Sequence, residues 1–257
     1  MYVLARIVVV RRLVGWAARA HAPEVRIESQ TRSMFDADVP AIVRAVRRDG
    51  FDSRLRLPPD FVRELAASGE PFREMVPFSL EMAPLPAAVG RIESDPLLLR
   101  LAALYFQSRP VVAGSRIWWT RAGAADADPL ATGSRFHYDL YDYRTLVVLF
   151  YLTDVPKDGA THVCVRASHR ARRWRDQLHP RRHRSDEIVR RLYGGDRIVE
   201  IVGQAGTGIA EDPYCFHNVK LPTSHDRLAL QILYTGREVS TPSFRRSHSE
   251  GWRAASR

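Results

Sequence analysis

The spacing of apolar positions along the chain changes once. Between about residues 37 and 108 they recur at helical intervals: Ile42, Val43 and Val46 after Asp38 and Pro40, stopped by Gly50; Phe61, Val62 and Leu65 after Pro58, Pro59 and Asp60, stopped by Gly69; and PLLLRLAALYF after Asp95. Aspartate and proline beside the first turn predict three helix starts with the same capping chemistry. After Arg109-Pro110 the period shortens. SRIWWTR (115–121), RFHYDL (135–140), TLVVLFYLTDV (145–155), THVCVRAS (161–168), RIVEIVG (197–203), GTGIAED (206–212) and DRLALQILYTG (226–236) are β-rich and bounded by Gly, Pro and Asp. Several short strands separated by turns predict a mainly β sandwich or barrel with flanking helices.

One stretch interrupts the strands. Residues 168–195, SHRARRWRDQLHPRRHRSDEIVRRLYGG, are charged, with Ser185, Asp186 and Glu187 able to cap and charge a helix start and Gly194 able to end it. They read as an excursion from the β core. With 257 residues and 45% apolar composition, the chain can bury a sizeable core. The predicted organisation is a basic N-terminal segment over 1–36, packed or mobile, a single domain over 37–240 and a C-terminal tail over 241–257.

The net charge of +10 raises the question of an anionic partner. Lys157 and Lys220 are the only lysines among the 39 basic residues, and so strong an arginine bias matches GC-rich codon usage rather than a chosen ligand. No nucleic-acid-binding motif accompanies it, so nucleic acid is not an expected partner. Cys164 and Cys215 imply no disulfide framework and fit a reducing cytoplasm. The N-terminal stretch is broken by Arg6, Arg11, Arg12 and Arg19, so its uncharged apolar runs fall far short of the roughly 20 residues of a transmembrane helix, and it lacks the order of a signal peptide. It can pack on the domain, stay mobile, or lie on an anionic membrane as a basic amphipathic helix.

The chemistry is concentrated at His137-Tyr138-Asp139. Residues two apart on a strand project from one face, so an imidazole and a carboxylate can meet at one spot and supply two ligands of the facial triad that holds non-haem Fe(II). A third ligand is sought among His162, His169, His179, His183, His217 and His225. His179 and His183 lie among arginines, and His169 leads into the same excursion. His217, between two β-like segments, is best placed. Ten residues further on, Arg227 opens an alternating strand, and its guanidinium fork suits a carboxylate bound beside a metal. In combination these residues are far more specific than any of them alone.

The chain resembles the phytanoyl-CoA dioxygenase family of Fe(II)- and 2-oxoglutarate-dependent oxygenases over about residues 38–236. The likeness is carried by VPAIVRAVRRDGF with PPDFVRELAAS, by FHYDLYDYRTLVVLFYLTDVPKDGATHVCVRASHR, and by GQAGTGIAEDPYCFHNVKLPTSHDRLALQILY. It implies a double-stranded β-helix, a jelly-roll or cupin-like barrel, with iron on His137, Asp139 and His217, and with Arg227 on the distal carboxylate of 2-oxoglutarate. It places Leu149 on the wall of the cosubstrate pocket. Ala167 stands where relatives often have glycine, and Val147 near a position where they often have lysine.

The implied reaction couples oxidative decarboxylation of 2-oxoglutarate by O2 to hydroxylation of a substrate C–H bond, the Asp139 carboxylate arguing for hydroxylation over halogenation. The expected substrate is a small molecule, anionic or carrier-bound, reached through Tyr138, Tyr141 and Tyr143 or through the arginines of the excursion. Two other readings are a catalytically silent binding protein on the same scaffold and a cupin-type metalloenzyme that does not use 2-oxoglutarate. The triad and Arg227 argue against the silent protein, and the Arg227 spacing separates the cupin-type enzyme from the 2-oxoglutarate-dependent oxygenase.

Overall fold

A computed structural model describes residues 4–20, 32–73, 85–122, 133–179, 181–239, 241 and 244. Apart from 241 and 244, the expected tail over 241–257 lies outside these residues, as do 21–31 of the N-terminal segment. Two antiparallel sheets carry the fold. Strands β1 (Phe51–Arg56), β2 (Val111–Thr120), β3 (Thr145–Tyr151), β6 (Thr207–Glu211) and β8 (Arg227–Thr235) form one in the order β1-β6-β3-β8-β2, and β4 (His162–Val165), β5 (Ile198–Ile201) and β7 (His217–Val219) form the other in the order β5-β4-β7.

The central strands β3 and β8 are buried along their whole length, which explains their unbroken apolar sequence. Leu146, Val148, Phe150 and Leu152, with Leu228, Leu230, Ile232 and Tyr234, face a helical layer of α2 (Val39–Asp49), α3 (Pro59–Gly69), α4 (Ala87–Glu93) and α5 (Pro96–Phe106). The alternate positions Leu149 and Tyr151, with Ala229, turn inward toward Cys164 and Ile201 of the smaller sheet. Period-two alternation thus separates a helix-facing core from an inner volume between the sheets.

Helix entry follows local chemistry. Asp38 accepts from the Ala41 N–H at 2.9 Å and Asp95 from the Leu97 N–H at 2.8 Å, each satisfying a free donor of the first turn. The third start departs from this pattern: Pro58 precedes α3 and makes no side-chain cap, while Asp60 pairs with Arg63 at 2.5 Å on the surface. In the excursion Ser185 accepts from Ile188 and opens α7 (Asp186–Tyr193), with Gly194 following in a positive-φ conformation. The rest of the excursion includes the short α6 (Trp174–Leu178).

Two expectations are corrected. The helical flank is interrupted by β1, whose Phe51 and Leu55 are buried against the edge of the large sheet with a register shift between Asp52 and Leu55. RFHYDL is not a continuous strand. Phe136 bridges Arg184 on one side and His137 bridges His217 on the other, so each edge is paired for one residue before the chain bends away. The N-terminal helix α1 (Val8–Ala20) packs through Arg11 stacked over Tyr214, whose hydroxyl donates to the carbonyl of Arg6 in the turn before the helix. Among the described residues no helix is long and apolar enough to cross a membrane.

Gly50 turns α2 into β1 at φ 97°, and a Cβ there would meet the buried Cys215 Sγ at 2.5 Å. Gly50→Ala therefore combines left-handed backbone strain with overpacking, and a loss of about 2–3 kcal/mol in urea-unfolding free energy is expected.

Candidate metal centre

Backbone pairing brings the first two histidines together. His137 N–H donates to the His217 carbonyl at 2.9 Å and His217 N–H returns the bond at 2.8 Å, while Asp139 N–H donates to the Pro213 carbonyl at 2.7 Å. The segment around His137 thereby lies antiparallel to β7, which is itself registered against β4 with Cys164 opposite His217. One ligand atom from each of His137, Asp139 and His217 falls within 4.8 Å of the others, with His217 Nε2 3.9 Å from Asp139 Oδ2.

The tautomers follow from neighbouring carbonyls. His137 Nδ1 lies 2.9 Å from the Arg135 carbonyl and His217 Nδ1 lies 2.9 Å from the Cys215 carbonyl. A carbonyl can only accept, so both rings carry a proton on Nδ1, and the neutral form of each keeps its Nε2 lone pair for a ligand. That is the arrangement in which metal-binding histidines are held by a second hydrogen bond. Burial, with His217 and His183 adding to it, lowers the His137 pKa to about 4 against the opposing pull of Asp139, so the ring is neutral near pH 7. Burial pushes the Asp139 carboxyl up, but the two histidines and the 2.9 Å hydrogen bond from Tyr141 outweigh it and leave the carboxyl below its ordinary value. Two imidazoles and a carboxylate form a donor set that suits a divalent cation.

Arg227 is fully buried. Its Nη1 donates to the Ala160 carbonyl at 2.7 Å and its Nη2 to Thr120 Oγ1 at 3.2 Å, while its Nε has no partner among the described residues. Neither contact neutralises the guanidinium, whose pKa burial lowers. An unpaired buried donor on a cation is costly. Leu149 lies in the inner cluster with Tyr151 and Ala229, the last standing two residues along β8 from Arg227.

Several contributors lie outside the predicted set. His162 and Cys164, two apart on β4, share a face with Glu211, and His162 Nε2 lies 2.8 Å from Glu211 Oε2. The His162 ring centroid is 5.5 Å from that of His217. Burial pushes the Glu211 carboxyl up, but His162 and His217 overcome this and hold it at about 2. Alternation along β4 was the available signal for His162; nothing local pointed to Glu211. His183, for all its arginine neighbours, comes to 5.6 Å from His137 between ring centroids. Of the others, His169 lies by the Arg47 carbonyl, His179 by Arg181, and His225 pairs with Asp158 on the surface.

The three tyrosines part company. Tyr141 holds Asp139, Tyr143 faces an outer cavity, and Tyr138 is buried with Tyr214 and Phe216 around Arg172, whose guanidinium lies 3.8 Å from the Tyr138 ring centroid. Arg172 and Arg184 of the excursion are therefore core residues rather than part of a solvated surface.

Known structures share this architecture. AviO1 from Streptomyces viridochromogenes Tue57 matches with a TM-score of 0.55 at 17% identity, covering 82% of this chain and 99% of its own. The non-haem monooxygenase ThoJ matches with 0.53 at 18%, over 78% of this chain and 80% of its own. The epimerase SnoN in complex with Fe3+, α-ketoglutarate and nogalamycin RO matches with 0.54 at 15%, over 77% and 83%. At these identities the likeness establishes a common fold. No family model and no curated protein sequence matches the chain.

A carboxyl held below its ordinary value stabilises the fold above that value and loses this contribution as pH falls through the window. For Glu211 the window runs from 4.5 down to about 2. The urea midpoint is expected to fall across it in the parent chain and to fall less steeply in Glu211→Gln.

Proposed function

We propose that the chain is a non-haem Fe(II)- and 2-oxoglutarate-dependent oxygenase of the phytanoyl-CoA dioxygenase type, built on a double-stranded β-helix, that hydroxylates a C–H bond of a small anionic or carrier-linked metabolite. The observation that carries this reading is the pairing of two histidines with free Nε2 lone pairs and an ionised Asp139 with a buried arginine that has one donor to spare. The SnoN complex, with iron and α-ketoglutarate in the same fold, supports it.

The residues present fit the group. His137, Asp139 and His217 would hold iron, leaving coordination positions open, and Arg227 would take the distal carboxylate of 2-oxoglutarate with Leu149 against its carbon chain. When bound, iron, 2-oxoglutarate and O2 supply the oxidising power for C–H cleavage. The chain's part is to position and exclude. Arg227 offers a fixed cationic fork on a buried strand, its Nη1 and Nη2 already committed to Ala160 and Thr120, so little ordering remains to be done on binding. Tyr141 orients Asp139 through its 2.9 Å hydrogen bond, and Leu149, Tyr151, Ile209 and Ala229 keep water from the inner volume.

Anaerobic Fe(II) titration with and without 2-oxoglutarate tests the reading. A weak visible charge-transfer band is expected only when both are present, and is expected to vanish in His137→Ala and His217→Ala. Arg227→Met should raise the 2-oxoglutarate concentration needed for half of the band by about a hundredfold, with iron binding retained, because the carboxylate loses a buried charged partner. Iron binding without any 2-oxoglutarate-dependent band would instead favour a cupin-type enzyme that does not use this cosubstrate. Succinate release against a metabolite panel then addresses the substrate.

A further inference from the structure

Helix α1 has three distinct sides. One packs on the protein through Arg11, which reaches Asp212 at 3.5 Å and the Asp142 carbonyl at 3.2 Å, and through the Val8 N–H, which donates to Gln177 Oε1 at 2.8 Å. A second presents Val9, Leu13 and Trp16 to solvent, 61%, 59% and 66% exposed. Their spacing of four and three residues places them in one stripe. Such large apolar groups arranged in a row are unlike singly scattered surface hydrophobics. The surface continues where the helix begins: Leu4 is exposed, and so are Trp174 and Leu178 of α6, the helix whose Gln177 holds Val8.

The third side opens on a cavity of about 400 Å³ between α1, α2 and α5. Arg11, Arg12, Arg47, Arg144 and Arg170 line it, and among the described residues Asp212 is its only carboxylate. That carboxylate is already shared between Arg11 and the Tyr105 hydroxyl, which donates to it at 2.8 Å. Arg47 donates to the Leu104 carbonyl at 2.7 Å, and Arg144 donates to Ser108 Oγ at 2.6 Å. Five guanidinium groups thus line the cavity against one carboxylate among the described residues, so its lining is cationic. Exposed Arg12 stands on the edge between cavity and apolar stripe, one residue from Leu13.

We propose that this face docks on an anionic lipid bilayer, with Leu4, Val9, Leu13 and Trp16 entering the acyl boundary and phosphate-bearing headgroups meeting the arginine-lined cavity beside α1. Both halves of the recognition are present: an apolar stripe with a tryptophan, suited to the headgroup boundary, and arginines set at its flank to pair with lipid phosphate. The helix is too short and too charged to span the bilayer, so it lies in the plane of the surface. The inference is independent of the oxygenase reading, since none of its residues touches the metal triad.

Sedimentation of the full chain with phosphatidylcholine vesicles, with and without phosphatidylserine, tests it. Binding is expected only to the mixed vesicles and should weaken with added salt. Arg12→Ser and Arg170→Ser should each reduce the partition constant about fivefold, as removal of one interfacial charge implies. Leu13→Ser with Trp16→Ser should reduce it by at least about tenfold. Near-UV circular dichroism unchanged from the parent chain confirms that the variants fold, because all four positions are solvent-facing or at a cavity rim. Three results overturn the proposal. One is the absence of sedimentation with mixed vesicles. Another is a dimer in light scattering that Leu13→Ser with Trp16→Ser converts to monomer, which would assign the stripe to a second copy. The last is thermal stabilisation by inorganic phosphate without vesicle binding, which would assign the cavity to a soluble anion.

Discussion

Two reciprocal backbone hydrogen bonds, His137 with His217, hold the candidate centre together. They tie a segment otherwise paired for one residue at a time to β7, whose own position is fixed by β4. A shift of one residue would turn the His137 and Asp139 side chains to the opposite face and leave buried N–H and C=O groups without partners, so the register is strongly specified. The same local chain sets the ring protons. Arg135 and Cys215 each lie two residues before a histidine and present a carbonyl to its Nδ1, so the donor set is prepared by peptide geometry before any ligand arrives.

Charge in the inner volume is arranged around that centre. Asp139 is stabilised by Tyr141 and the histidines, and the buried Glu211 by His162, so each of these carboxylates has a close partner. Buried ions are tolerated only when paired or strongly hydrogen-bonded. Arg227 departs from this rule, with two neutral acceptors and an idle Nε. The neighbouring inward position on its strand is Ala229, a small side chain. His137 is held neutral by burial, while its neighbours keep the Asp139 carboxyl below its ordinary value.

What was legible in the sequence were features with a short period. The caps at Asp38, Asp95 and Ser185, the buried runs of β3 and β8 and the spacing of His137 from Asp139 depend on neighbours a few residues away. His217 and Arg227 were reachable because each lies on or beside an alternating segment. The pairing of His162 with Glu211 was not, because it joins strands 49 residues apart across the two sheets. β1 was obscured for a different reason. Its six residues lie between two strongly signalled helices, and its buried apolar residues, Phe51 in the inner cluster and Leu55 in the helix-facing core, fall on opposite sides of a register shift. RFHYDL had the composition of a strand without a partner along its length, and strand propensity expresses itself only where a ladder exists to receive it.

The arginines show why composition alone could not separate structure from surface. Arg12 and Arg172 each belong to an adjacent arginine pair and look alike in sequence. In the fold Arg12 is exposed, whereas Arg172 is enclosed by Tyr138, Tyr214 and Phe216 and donates to the Tyr214 carbonyl at 2.8 Å. Arg184 is likewise buried, donating to the Arg181 and His183 carbonyls. Arg11, by contrast, works at a boundary. It stacks on Tyr214, holds Asp212 and donates to the carbonyl of Asp142, three residues beyond Asp139. Through that one side chain the exposed helix α1 is fastened to the loop that follows the metal motif, so a surface element and the candidate centre share a short mechanical path. Arginine is the basic residue almost throughout, and burial, stacking and acceptor geometry give individual residues separate tasks.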